Sequence, residues 1–144
     1  MRILVLNGPN LNLLGVREPG LYGTVDYDGL VALIQKECDA LGVQVRFYQS
    51  NHEGDLVDAI QAARLDCDGI VLNPGAYTHT SIAILDALKA AGSATAEVHI
   101  TDINQREEFR KVSYAGMACQ AHFIGQGLAG YLNAVRWLAG GSEQ

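Results

Sequence analysis

Residue types suited to moving protons gather in a few short stretches of this chain. The first holds Asn10, Asn12, Arg17, Glu18 and Tyr22. The second reads Asn73-Pro74-Gly75-Ala76-Tyr77-Thr78-His79-Thr80-Ser81. The third reads Glu97-Val98-His99-Ile100-Thr101-Asp102, and Arg110 follows soon after. A tyrosine titrates near about 10 in water, and a neighbouring guanidinium can lower it toward a useful base. A histidine held by a carboxylate can act as an acid. Asparagine amides can hold a water or an oxyanion without carrying charge. Backbone N–H groups beyond a strand can bind a carboxylate. Each residue also has a plain structural role open to it. Asn10 and Asn73 suit turns, and Thr80 and Ser81 suit a helix cap. Glu97 and His99 share a strand face, while Arg17 and Glu18 could be a solvated loop pair. What favours chemistry is that all of them fall at the ends of apolar runs.

Those runs must position the set. Residues 3–6 read as a short buried strand, and residues 7–24 as a long loop rich in Asn, Gly and Pro. Residues 26–41 carry Leu30, Leu33, Ile34, Cys38 and Leu41 at helical spacing, ended by Gly42. Residues 43–48 alternate as a strand, and residues 55–65 form a second helix. Residues 69–72 are an apolar strand and residues 80–91 a helix closed by Gly92. Residues 96–100 are a strand, residues 106–111 a helical turn, residues 118–124 the last strand and residues 128–138 the last helix. Five strands alternating with helices predict one α/β domain over residues 1–144, a flavodoxin-like doubly wound parallel sheet with helices on both faces. Ligands in such folds sit beyond the carboxyl ends of the strands. That places residues 7–22, 50–53, 73–79, 99–102 and 125–127 around one site.

Composition narrows the function. A chain of 144 residues with 49% hydrophobic residues can bury a core. A formal charge of −6 argues against a general nucleic-acid binder, which needs a basic face. Cys38, Cys67 and Cys119 are scattered and odd in number, which suits apolar fillers in a reducing compartment. No run is long enough for a membrane span or a signal segment, so a cytoplasmic protein without membrane attachment is expected. Gly125-Gln126-Gly127-Leu128-Ala129-Gly130 matches a dinucleotide fingerprint literally. That fingerprint needs a further strand and an acidic residue about 20 positions on, and only fourteen residues follow Gly130. The expectation is a tight turn into the last helix. The four histidines, 52, 79, 99 and 122, have no zinc-site spacing, and His122 reads as a half-buried structural residue of the last strand.

The three stretches together resemble the type II 3-dehydroquinate dehydratases. The resemblance rests on Asn7-Gly8-Pro9-Asn10-Leu11-Asn12-Leu13-Leu14-Gly15 with Arg17-Glu18-Pro19 and Tyr22-Gly23. It continues through residues 73–81, Glu97-Val98-His99-Ile100-Thr101 with Arg106-Glu107-Glu108-Phe109-Arg110, and Gly125-Gln126-Gly127 with Gly130-Tyr131. It implies a hydro-lyase converting 3-dehydroquinate to 3-dehydroshikimate by anti elimination through an enolate, with no cofactor, metal or Schiff base. That reaction serves both shikimate biosynthesis, toward aromatic amino acids, and quinate breakdown. The resemblance also implies a homo-oligomer, a dodecamer built of trimers. By position, Tyr22 is the base that removes the C2 proton, with Arg17 beside it on a lid. Asn10 and Asn73 hold the water that stabilises the enolate oxygen. His99, oriented by Glu97, protonates the departing C1 hydroxyl. Ile100 and Thr101 hold the substrate carboxylate, and His79 and Arg110 bind ring hydroxyls. Asp86 reaches a neighbouring subunit's site.

Two readings compete: a catalytically idle member that only binds a small molecule, and a flavin or nucleotide carrier of the same fold. Intact Arg17, Tyr22 and His99 weigh against the first. Asp102 stands where relatives often have Asn, and a carboxylate beside an anion pocket is expected to point away. Residues 117–123 are bulkier than is usual for the last strand, so its packing is expected to differ.

Overall fold

Runs too short for helices, two of them largely apolar, form the three central strands. In the computed structural model, which describes residues 1–16 and 25–140, β1 is Arg2–Asn7, β3 is Gly69–Asn73 and β4 is Ala94–His99. Nearly every residue in them is buried, because helices cover both faces. β2, Gln44–Gln49, and β5, Ala121–Ile124, are the edges, and β2 alternates between exposed and half-buried side chains. The order is β2-β1-β3-β4-β5, all parallel. This is the expected flavodoxin-like α/β sheet.

The helices lie in two layers. α1, Tyr27–Leu41, and α4, Ala129–Leu138, pack on the face that carries Ile3, Val5, Val71 and Val98. α2, Glu53–Asp66, and α3, Ile82–Ala91, cover Leu4, Leu6, Ile70 and Leu72 on the other. Sequence-local chemistry sets their ends. The Asp26 carboxylate accepts from Gly29 N–H at 2.8 Å, and Gly42 closes α1 in the left-handed region at φ 71°. The Ser81 hydroxyl accepts from Ile84 N–H at 2.9 Å, so its capping role holds.

Two segments differ from the sequence-based expectation. A 3₁₀ turn at Gly75–His79 precedes α3, so the helix begins at Ile82 rather than residue 80. The last strand was expected over residues 118–124 but begins at Ala121, because Ala115–Ala118 curl into another 3₁₀ turn. Both turns reach the buried carboxylate of Glu97: the Thr78 hydroxyl lies 3.5 Å from its Oε2, and a Cβ on Gly116 would stand 2.6 Å from its Oε1.

Candidate active site

The strand order switches direction between β1 and β3, where ligands of such sheets bind beyond the carboxyl ends of the strands. Asn7 and Asn73 end these strands side by side and are buried. The Tyr131 hydroxyl, from α4, donates to Asn7 Oδ1 at 2.7 Å and accepts from Asn73 Nδ2 at 2.9 Å. Asn7 Nδ2 donates in turn to Tyr27 Oη at 3.3 Å. Asn73 Oδ1 accepts from Gly75 N–H at 3.1 Å. The network joins α1 and α4, the two helices of one layer, to the strand ends, and one Asn73 N–H is left over for a ligand. Burial pushes the Tyr131 hydroxyl up, well beyond the ordinary tyrosine range, so it stays a neutral donor.

The loop after β1 lies against the loop after β3. Gly8 N–H donates to Asn73 O at 2.8 Å, and a Cβ on Gly8 would stand 2.3 Å from Pro74 O. Only glycine permits that approach. Asn10 then takes a left-handed φ of 69°, and its N–H donates to Asn51 Oδ1 at 3.0 Å. Asparagine tolerates this conformation better than most residues. Leu11 and Leu14 turn back into the core, which anchors the base of the loop.

The cleft between these loops and the end of β4 is lined by Asn10, Asn73, His79, His99, Ile100, Thr101 and Arg110. Seven of the eleven residues expected at the site therefore meet at one place. Glu97 stands directly behind His99. Arg17 and Tyr22 lie outside the described residues. Asp86 is not in this cleft: it is exposed on the outer face of α3. Arg106, which the sequence reading left without a role, also lines the cleft. Its place four residues before Arg110, in the same quoted motif, was the available signal.

His99 is buried, and its Nε2 lies 2.8 Å from Glu97 Oε2. Glu97 is 1% exposed. Burial alone pushes its carboxyl up. Hydrogen bonds and charge from His99, with hydrogen bonds from the Ser113 hydroxyl and His122, outweigh that and bring it down to about 2. Glu97 is therefore an anion that accepts, and His99 Nε2 is a donor. That leaves Nδ1 as the ring atom able to exchange a proton with a ligand. Nothing in the sequence pointed to Ser113 or His122 as partners of Glu97.

His79 Nδ1 lies 2.7 Å from Val112 O, a carbonyl that can only accept, so Nδ1 carries the proton. Burial lowers the His79 pKa, the carbonyl opposes that, and the nearby charges of His99, Arg110 and Arg106 lower it further. A neutral His79 presents an accepting Nε2. Arg110 Nε stands 2.7 Å from Glu107 Oε2, but the N–H is misaligned, so this is an ion pair without a hydrogen bond. Asp102 points away from the cleft as expected: its Oδ1 accepts from Asn104 N–H at 2.9 Å and caps a short turn. The amides of Gly125 and Gly127 donate to the carbonyls of His99 and Ile100, both at 3.0 Å. The Gly-x-Gly segment thus clamps the end of β4 and has those donors already engaged. Among the described residues no group of three or more His, Cys, Asp or Glu could hold a metal.

The family model Dehydroquinase class II matches residues 1–139. The chain belongs to this family. The 3-dehydroquinate dehydratase of Lachnospira eligens is 51% identical over 137 residues, covering 94% of this chain and 93% of that one. The crystal structure of type II dehydroquinase from Butyrivibrio crossotus superposes with a TM-score of 0.94 at 50% identity, covering 96% of this chain and 97% of that one. That from Propionibacterium acnes gives 0.92 at 43% identity, covering 96% and 95%.

Proposed function

We propose that this chain is a type II 3-dehydroquinate dehydratase that works by anti elimination through an enolate. The observation that carries the acid half is the buried His99, hydrogen-bonded to an anionic Glu97 and facing the cleft. In this reading the Tyr22 phenolate, stabilised by Arg17, takes the C2 proton. The C2–H electrons move into the adjacent carbonyl and form an enolate. A water held by Asn10 and the remaining Asn73 N–H stabilises its oxygen. The enolate collapses, the C1–O bond breaks, and His99 gives its Nδ1 proton to the leaving hydroxyl, which departs as water. Glu97 stabilises the imidazolium before that transfer. Ile100 and Thr101 hold the substrate carboxylate, and neutral His79 and Arg110 take ring hydroxyls. Tyr22 and Arg17 are assigned from the family motif.

No metal or imine enters this scheme, and the strand-end set contains no lysine. The proposed setting is the cytoplasm, in keeping with three free cysteines; no described helix is long and apolar enough to cross a membrane. The proposed assembly is the family's dodecamer of trimers. It is supported by the exposure of Asp86 away from its own cleft, beside the 56% exposed Ile82 on α3. The test is direct. Purified protein mixed with 3-dehydroquinate should generate the ultraviolet absorbance of an enone, in the presence of EDTA and after borohydride treatment with substrate. Absence of enone formation refutes the function. Loss to the chelator or a borohydride-trapped adduct refutes the mechanism.

A further inference from the structure

The proposed reaction uses one imidazole on Glu97, yet the carboxylate carries two. The parallel register of β4 and β5 sets Glu97 opposite His122, and His122 Nδ1 lies 2.7 Å from Glu97 Oε1. The two oxygens divide their partners. Oε2 takes His99 Nε2 at 2.8 Å and the Ser113 hydroxyl, with the Thr78 hydroxyl at 3.5 Å. Oε1 takes His122. The three side chains step outward from the cleft: His99 is 6% exposed, Glu97 is 1% exposed and the His122 side chain is 44% exposed.

This division bears on the orientation of His99. The terminal torsion of glutamate is broad and roughly two-fold, so rotamer preference alone does not fix which oxygen faces His99. A buried carboxylate oxygen without a donor is costly, so the carboxylate would turn to share its donors if one were withdrawn. Such a turn would carry Oε2 away from the line of His99 Nε2. Gly116 makes room for the carboxylate in this arrangement: a Cβ there would stand 2.6 Å from Oε1. We infer that His122 is a positioning residue, which by holding Oε1 keeps Oε2 aimed at His99 and so fixes the ring that serves as acid. The effect on turnover rests on the proposed role of His99; the effect on the ring itself does not.

Two variants separate positioning from simple stability. His122→Asn keeps an N–H close to where Nδ1 sits, whereas His122→Leu keeps the bulk and removes the donor. In the full-length protein, assayed well below the melting temperature, His122→Leu should lower kcat about tenfold or more, since misplacement of a catalytic group is costly. KM should stay within about twofold, because the acid acts in the transition state. His122→Asn should restore most of kcat. Proton–nitrogen NMR of the histidine rings reads the same claim without turnover. The His99 Nε2 proton should give a protected resonance in wild type and His122→Asn, and a broadened or absent one in His122→Leu. Wild-type kcat and an unchanged His99 resonance in His122→Leu would overturn the inference. So would an Asn variant as impaired as Leu. A wild type silent toward 3-dehydroquinate, with the His99 resonance still lost in His122→Leu, would sink the proposed function and keep the inference.

Discussion

Replacing Glu97 by Gln preserves shape and removes charge, so it asks what the anion contributes. The folded chain brings this carboxyl from its ordinary 4.5 to about 2. Each unit corresponds to about 1.4 kcal/mol, so the native environment favours the ionised form by on the order of 3 kcal/mol at neutral pH. Because the folded value lies below the unfolded one, the unfolded chain binds more protons between the two. The stabilisation is fully present above pH 4.5 and drains away as pH falls toward 2. Thermal melts of Glu97→Gln and wild type should therefore differ most at pH 7, by roughly 10 °C for a chain of this size. The gap should close between pH 4.5 and the acid limit. Asp66, held low by its hydrogen bond from Arg46, and Glu107, held low by a backbone N–H, titrate alike in both proteins and cancel in the difference. Turnover should fall by about 10²-fold or more, within the range of general-acid contributions. A gap that stays constant from pH 7 to the acid limit would show that Glu97 is not the acid-labile anion, and the account of His99 as its partner would fall with it.

Four further outcomes follow from the same geometry and the family motif. Tyr22→Phe should cost about 10²–10⁴ in kcat with substrate binding retained, since only the proton acceptor is lost; single-turnover and binding measurements separate the two. Tyr131→Phe removes the hydroxyl joining Asn7 and Asn73 and should cost about 1–3 kcal/mol in urea unfolding, with KM raised as Asn73 loses its anchor. Gly116→Ala should lower both melting temperature and kcat, because its methyl would meet Glu97 Oε1 at 2.6 Å; an unperturbed enzyme would mean the carboxylate has room to move. Asp86→Ala should raise KM if it completes a neighbour's site, and sedimentation with activity measured on the same fractions checks this; full activity in a monomer would show the site complete within one chain.

Local chemistry made much of this molecule legible before any fold was known. Continuous apolar runs at residues 3–6 and 69–72 mark strands buried on both faces, and Gly42 and Gly92 mark helix ends where a left-handed residue is needed. The parallel sheet followed from the alternation of strands with helices, and its rule for ligand sites put Asn10, Asn73, His79 and His99 at one edge, while Arg110 came from the family resemblance. Even the outward turn of Asp102 was foreseeable, since a carboxylate facing an anion pocket would be opposed. These features depend on neighbours along the chain or on the topology of the fold.

What the tertiary structure decided depends on residues far apart in sequence. Periodicity shows which face a side chain takes but not which residue of the next strand stands beside it, so the pairing of Glu97 with His122 was invisible. The same holds for Tyr131, whose hydroxyl reaches two asparagines 58 and 124 positions away. The last strand was expected to open at residue 118, yet that residue closes the Ala115–Ala118 turn, beside which the Ser113 hydroxyl and the bare Gly116 meet Glu97. A buried anion must collect its donors from wherever the fold offers them, and those donors are distant in sequence.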